Sequence, residues 1–182
     1  MKLVSDLLPM LFVLFFIGCA TAHPGTDEQD MMPDDFSVAY EWRAGSLPPP
    51  SHYEYTITIK PTGQSEIVLT PDYPGFAPPK WTETFKVEAQ SLHDLYRVMV
   101  ENALFTKKWR RLDGVVVGGS KQTMVVTVRG KRITVKDHLV DEQEAPAEAM
   151  YSAVKALVPK EIWDRLQEKR KHYMEEHPRL RR

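Results

Sequence analysis

Cysteine is almost missing from this chain, since Cys19 is the only one among 182 residues. A single cysteine excludes an intramolecular disulfide and leaves no group of thiolates to hold a structural metal. A surplus of one charge is missing as well, because 24 Lys and Arg residues stand against 25 Asp and Glu residues. A chain without a basic surplus lacks the overall field that draws a protein onto nucleic acid, so we predict no nucleic-acid partner.

The sequence also lacks a hydrophobic run of the length that spans a bilayer. Its longest apolar run covers residues 7–17, whereas a membrane-spanning helix needs about 20 residues. The run follows Lys2 and ends in small residues, which is the layout of a secretory signal peptide. We therefore predict that residues 1–18 are a signal peptide.

The end of this segment, Phe16-Ile17-Gly18-Cys19, resembles the lipobox of bacterial lipoproteins. In those proteins the cysteine is acylated and becomes the mature N-terminus, so the resemblance implies lipidation of Cys19. Acyl chains would hold the protein at a membrane, because each buried methylene contributes about 0.8 kcal/mol. The alternative is ordinary cleavage after Ala20-Thr21-Ala22, which would release a soluble secreted protein that starts at His23.

Charge and periodicity divide the rest of the chain. Residues 19–35 have no periodic apolar pattern and read as a flexible tether, and residues 19–50 carry six acids and one base. Residues 36–159 carry the patterns of one globular domain. Residues 160–182 carry eight bases and five acids and read as a C-terminal helix with a basic tail. Since its bases alternate with acids, we interpret that tail as a solvated surface rather than a site for anionic lipid.

The periodic segments predict an α+β fold. Strict alternation of apolar and polar residues marks strands at residues 36–43 and 53–60, and the second strand returns through Ile67 and Leu69 as a hairpin. A short strand is predicted at residues 84–88, and a second hairpin joins residues 122–128 to 132–135. Helices are predicted at residues 91–104 and 146–158, with Pro146 in a first turn. Together these predict an antiparallel sheet of about five to six strands, packed by two helices, with a C-terminal helical extension whose outer half is solvated.

No segment carries a coherent catalytic motif. Residues 114–121 superficially resemble a phosphate-binding loop, but Ser120 precedes lysine and a strand follows where a helix should start. A nucleophilic Ser120 would need a base, and His138, which stands beside Asp137, is the candidate. Side chains of adjacent strand residues point to opposite faces, so the Asp137 and His138 side chains are not expected to meet. We keep an envelope hydrolase using Ser120 and His138 as an alternative.

Histidines and aromatic residues are the remaining candidates for metal or ligand binding. His172 and His177 are five residues apart and do not share a helix face, so no metal site and no cofactor are predicted. The proline-rich segment of residues 71–79, from Pro71 to Pro79, is predicted to be a loop, and a secreted inhibitor presenting it is a second alternative. Trp42 and Trp81 adjoin proline-rich segments. The candidate binding residues are Trp42, Arg43, Trp81, Gly118, Gly119 and Ser120.

Several short motifs between Asp35 and Tyr173 resemble a family of uncharacterised bacterial lipoprotein-like domains. They are Tyr40-Glu41-Trp42-Arg43, Gly45-Ser46-Leu47-Pro48-Pro49-Pro50, Tyr53-Glu54-Tyr55-Thr56-Ile57, Trp81, Leu104-Phe105, Val117-Gly118-Gly119-Ser120, Leu157-Val158-Pro159 and Ile162-Trp163. The resemblance implies an envelope location and supports the predicted fold, and it supplies no activity, cofactor or catalytic residue to carry over.

The resulting hypothesis is a membrane-tethered cell-envelope lipoprotein with a non-catalytic binding or structural domain. Its expected location is the periplasmic face of the outer membrane or the outer face of the cell membrane. Its expected partners are the membrane, through the N-terminal lipid, and an envelope protein or cell-wall polymer.

Overall fold

The computed structural model describes residues 31–113 and 118–177. The predicted signal peptide, Cys19, most of the tether and the first half of the glycine-rich segment lie outside the described residues. The elements, numbered in chain order, are β1 (Ser37–Arg43), β2 (Tyr53–Ile59), β3 (Gln64–Pro71), a 3-10 helix (Pro74–Phe76), β4 (Trp81–Lys86), α1 (Ala89–Glu101), β5 (Lys121–Val128), β6 (Lys131–Lys136), α2 (Asp141–Ala156) and α3 (Lys160–Glu176).

The strands form one open sheet in the order β4-β3-β2-β1-β5-β6. Every neighbouring pair is antiparallel. The β2–β3 and β5–β6 pairs are the two hairpins that alternation predicts. The α+β fold, the six strands and the C-terminal helix are as predicted from the sequence.

Alternation separates a buried face of the sheet from an open one. In β1, Val38 and Tyr40 are buried while Ala39 between them is exposed. In β2, Ile57 and Ile59 are fully buried. Threonine and charged residues predominate on the opposite face, which is typical of an antiparallel sheet with one solvated side.

The three helices pack on the buried face. The Tyr96 ring of α1 meets Phe36 edge-on at 5.2 Å, and the Tyr151 ring of α2 lies 5.4 Å from Tyr40. The Trp163 ring of α3 meets Tyr55 edge-on at 5.0 Å. One continuous core therefore joins all three helices to the sheet.

Strand β4 and helix α2 both begin earlier than predicted. Strand β4 begins at Trp81, earlier than residue 84, because Trp81 pairs with Leu69 of β3. Helix α2 begins at Asp141, so Pro146 lies inside the helix rather than in its first turn. Three acids precede the proline in that turn, where the positive end of the helix stabilises them.

One face of the outer half of α3 packs on the fold, although that half was predicted to project into solvent. Tyr173 is only 8% exposed, and the guanidinium carbon of Arg170 lies 4.0 Å above the Tyr53 ring. Nη2 of Arg170 also donates to the carbonyl oxygen of Ser51 at 3.0 Å. Long polar side chains can bury their stems while their heads remain paired, and this explains why a mostly polar helix surface packs here.

Candidate functional site

The structure separates the predicted site residues into three places. Arg43 and the segment Gly118-Gly119-Ser120 meet at one end of the sheet, where β1 ends opposite the start of β5. Trp42 lies in an aromatic cluster under α3. Trp81 lies on β4, the edge strand of the opposite half of the sheet.

The end of the sheet near Arg43 is built by a close backbone contact between two loops. A Cβ atom on Gly45 would stand 2.5 Å from the carbonyl oxygen of Gly119, so only glycine fits at position 45. The Arg43 guanidinium pairs with Glu41 and, at 3.4 Å, with Glu54. Arg43 is thus already neutralised by two carboxylates of the same surface.

His52 is a member of this site that the sequence did not indicate. It is 5% exposed, stacks on Tyr73 at 3.8 Å, and lines a cavity of about 400 Å³ together with Arg43. Its Nδ1 lies 3.3 Å from the carbonyl oxygen of Gly45. Because a carbonyl only accepts, this contact requires a protonated Nδ1. The partner is a backbone atom, so no motif of side chains could have revealed it.

Ser120 and His138 line a second cavity at the same end, of about 550 Å³. Strand β6 ends at Lys136, and His138 has a φ of +53°. Strand alternation therefore no longer applies at Asp137, and its Oδ2 lies 3.3 Å from Nε2 of His138. The expectation that these two side chains point apart is wrong for this reason.

The cavity does not present an assembled nucleophile. Among the described residues no hydrogen bond joins Ser120 to His138, whereas a serine nucleophile needs an adjacent base. Asp137 also pairs with Arg111 at 3.6 Å. Three further carboxylates line the cavity, and negative charge there opposes the oxyanion that forms during acyl transfer. They belong to Asp141, Glu144 and Glu148.

A hydrogen-bonded chain leads from this cavity into the core. The Tyr40 hydroxyl donates to Oε1 of Gln122 at 2.5 Å, and Nε2 of Gln122 donates to Glu148 at 3.2 Å. Burial raises the pKa of Tyr40 far above its usual range and that of Tyr55 to about 12. Both hydroxyls therefore stay protonated at neutral pH and act structurally.

Trp42 is held by its neighbours rather than presented to solvent. Its ring stacks on Tyr55 at 5.3 Å and lies 4.7 Å from Tyr53. The indole is half-buried and packs against the core. This packing gives Trp42 a place in the fold at the junction of β1, β2 and α3.

Trp81, in contrast, forms the wall of a groove of about 600 Å³ between β4 and the last turns of α3. Its ring meets Tyr173 edge-on at 6.3 Å, and His177 stacks on Tyr173 at 4.2 Å. Pro79 and His172 complete the aromatic and apolar lining. Tyr173 continues the apolar stripe of Ile162 and Leu166, as the spacing of these residues predicts.

Charged side chains border the same groove. Arg165 and Lys169 of α3 donate to Glu83 of β4 at 3.0 and 3.1 Å. Hydrogen bonds from Arg165 and then Lys169 lower the pKa of the Glu83 carboxyl. These bonds fix the distance between the helix and the edge strand, so the groove is formed before any ligand arrives.

The proline-rich loop is anchored at one side and exposed at its tip. The Tyr73 hydroxyl donates to the carbonyl oxygen of Leu47 at 2.7 Å. Phe76 is 56% exposed at the end of the 3-10 helix. The loop therefore presents one aromatic ring to solvent from a fixed base.

Within residues 31–113 and 118–177, no three His, Cys, Asp or Glu side chains are grouped so that they could hold a metal ion. In the same residues, no helix has the length and apolar character to cross a membrane. No family model matches the chain, and no curated protein matches it. The resemblance to bacterial lipoprotein-like domains therefore stays a prediction from the motifs.

Proposed function

We propose that this chain is a lipid-anchored domain of the cell envelope that binds a wall polymer or an envelope protein and catalyses no reaction. The observation that carries the proposal is the apolar segment of residues 7–17, which is followed directly by Gly18 and the single cysteine of the chain. A tether of residues 19–35 would let the folded domain reach past the lipid headgroups.

The groove at Trp81 is the surface that we assign to binding. Its aromatic rings are held by contacts within the fold, so little side-chain entropy is lost when a ligand is bound. Ligand sites commonly combine an apolar lining with a few fixed polar groups, and this groove joins Trp81 and Tyr173 to the charged pairs at Glu83.

The hydrolase alternative is favoured by one observation, the shared cavity of Ser120 and His138. It would require a side-chain rotation that brings the hydroxyl to the imidazole, and catalytic contacts do tighten when substrate binds. The inhibitor alternative is favoured by the exposed ring of Phe76.

Sedimentation with purified cell-wall sacculi, alone and with envelope extract added, distinguishes these functions. We expect Trp81→Ala to lower the bound fraction several-fold, because the substitution removes one wall of the groove. Phe76→Ala is the matched control, an exposed aromatic outside the groove, and should bind as the unaltered chain does. Loss of binding in Phe76→Ala alone would favour the inhibitor. Turnover of an ester or amide substrate that Ser120→Ala abolishes would contradict the proposal and favour the hydrolase.

A further inference from the structure

A separate groove lies between the last turn of α1 and the β5–β6 hairpin. Its volume is about 310 Å³, which is at the lower end of the range for small-molecule sites. The floor is apolar and is formed by Tyr96, Val100, Phe105, Val128 and Ile133. None of these residues belongs to the sites described above.

The floor of this groove leaves apolar surface open to solvent. Val100, Phe105 and Ile133 are only half-buried, although each packs against the core. Covering such surface by an apolar ligand removes it from water and is favourable in proportion to the area covered. The groove is concave and small, so it suits a single acyl chain rather than a flat surface.

The rim of the groove is cationic. Arg129 and Lys131 line it, and the Asp35 carboxylate beside the hairpin turn interacts electrostatically with Arg129. Lys131 is exposed and forms no ion pair with any carboxylate of the described residues. Asp35, which neighbours the hairpin turn, accepts hydrogen bonds from the backbone N–H groups of Arg129 at 2.7 Å and Gly130 at 2.6 Å. These bonds fix the turn that carries the two cations.

We propose that this groove binds a fatty-acid carboxylate. The acyl chain would lie on Val100, Phe105 and Ile133, and the carboxylate would lie at Lys131. An apolar floor beside the exposed Lys131 matches an amphiphile with a negative head. An amphiphile with a positive head would bury the same chain but would be repelled at the rim.

The inference goes beyond the proposed function, because a fatty-acid site needs neither the acyl anchor nor wall binding. The chain to test is therefore the mature one, residues 19–182, produced without its signal segment so that it carries no acyl group. This chain contains every element and contact described above. Failure of the anchor proposal would leave the result of this test unchanged.

The first experiment is a titration of the methyl-labelled mature chain with laurate below its micellar concentration, followed by NMR. We expect the methyl resonances of Val100, Val128 and Ile133 to shift together and to saturate. Dodecyltrimethylammonium has a tail of the same length and a head of opposite charge, and it should bind at least tenfold more weakly. Equal affinity for the two amphiphiles, or shifts confined to other methyl groups, would overturn the proposal.

Two variants with matched controls extend the test. Lys131→Glu should weaken laurate binding about tenfold, whereas Lys136→Glu, at the other end of β6, should leave it unchanged. Thr106→Trp places a bulky ring at the exposed edge of the groove and should abolish binding. Thr84→Trp, on the open face of the sheet, should not. Equal effects within either pair would contradict the assignment, and the comparison of the two amphiphiles decides the matter if a variant fails to fold.

Discussion

Gly45 is a residue at which one added carbon atom should destabilise the fold. The Cβ atom of alanine there would stand 2.5 Å from the carbonyl oxygen of Gly119, and two backbones would have to separate to admit it. Overpacking of this kind costs about 1–3 kcal/mol. We expect Gly45→Ala to lower the free energy of unfolding by that amount in urea denaturation.

Gly75 is the matched control for this prediction. A Cβ atom on Gly75 meets nothing within 4 Å, so Gly75→Ala should be neutral or should stabilise the fold slightly. Equal destabilisation by the two substitutions would contradict the loop contact at the end of the sheet.

Asp35 makes a pH-dependent contribution to stability. Hydrogen bonds from the backbone N–H of Gly130 and then of Arg129 lower the pKa of its carboxyl. A carboxyl whose folded pKa is depressed stabilises the fold above its unfolded pKa, and that contribution is lost as the pH falls through the folded pKa. Asp35→Ala should therefore lower the urea midpoint at pH 7 and have a smaller effect near pH 2.

Asp34→Ala is the control for the pH series, because Asp34 is exposed and makes none of these bonds with the turn. Its urea midpoint should follow that of the unaltered chain at both pH values. An Asp35→Ala deficit that is the same at pH 7 and pH 2 would show that the carboxylate charge is not what stabilises the turn.

At the scale of elements, α3 is the helix whose role differs most from expectation. Tyr173 is buried against Trp81 and His177, so its truncation leaves a cavity in the groove. Removing a buried aromatic side chain costs about 3–5 kcal/mol. Tyr173→Ala should therefore cost about 3 kcal/mol in urea denaturation and should also reduce binding at the groove.

Lys171, two residues earlier on the same helix, is exposed. Lys171→Ala should change the free energy of unfolding by less than about 0.5 kcal/mol, as is usual for surface positions. If Tyr173→Ala were equally neutral, the last turns of α3 would not be docked on the sheet.

The strands were predictable because alternation is a local signal. Val38 and Tyr40 share a face for the same reason that Ile57 and Ile59 do, and the predicted hairpins follow from the turns between them. The position of β4 was not predictable in this way, because Trp81 enters the sheet through its register with Leu69. Tertiary pairing decides where that strand begins.

The candidate site was predictable in part. In an antiparallel pair, the start of one strand lies beside the end of the other. Ser120 precedes β5 and His138 follows β6, so both lie at the same end of the pair and line one cavity. The contact of His138 with Asp137 depends on a positive φ that no sequence pattern indicated. His52 and the groove at Tyr173 depend on partners far apart in the chain, which pattern analysis of a single sequence does not pair.

For the whole molecule, the proposed arrangement is a tethered domain with two unrelated binding surfaces. The described chain begins at Met31, and the Phe36 that leads into β1 packs against Tyr96 at the end of the molecule that carries the fatty-acid groove. The groove at Trp81 lies at the other edge of the sheet. A tether that leaves from one side would keep the second surface free to meet the wall.

The intact mass of the mature protein, measured separately in the membrane and soluble fractions of its native host, tests this account most directly. If the protein is lipid-anchored, we expect a membrane-bound species that starts at Cys19 and carries the added mass of acyl chains. Cys19→Ser should abolish that species, because serine offers no thiol for acylation. A soluble species that starts at His23 and carries no added mass would contradict the anchor, and the domain would then be a secreted protein.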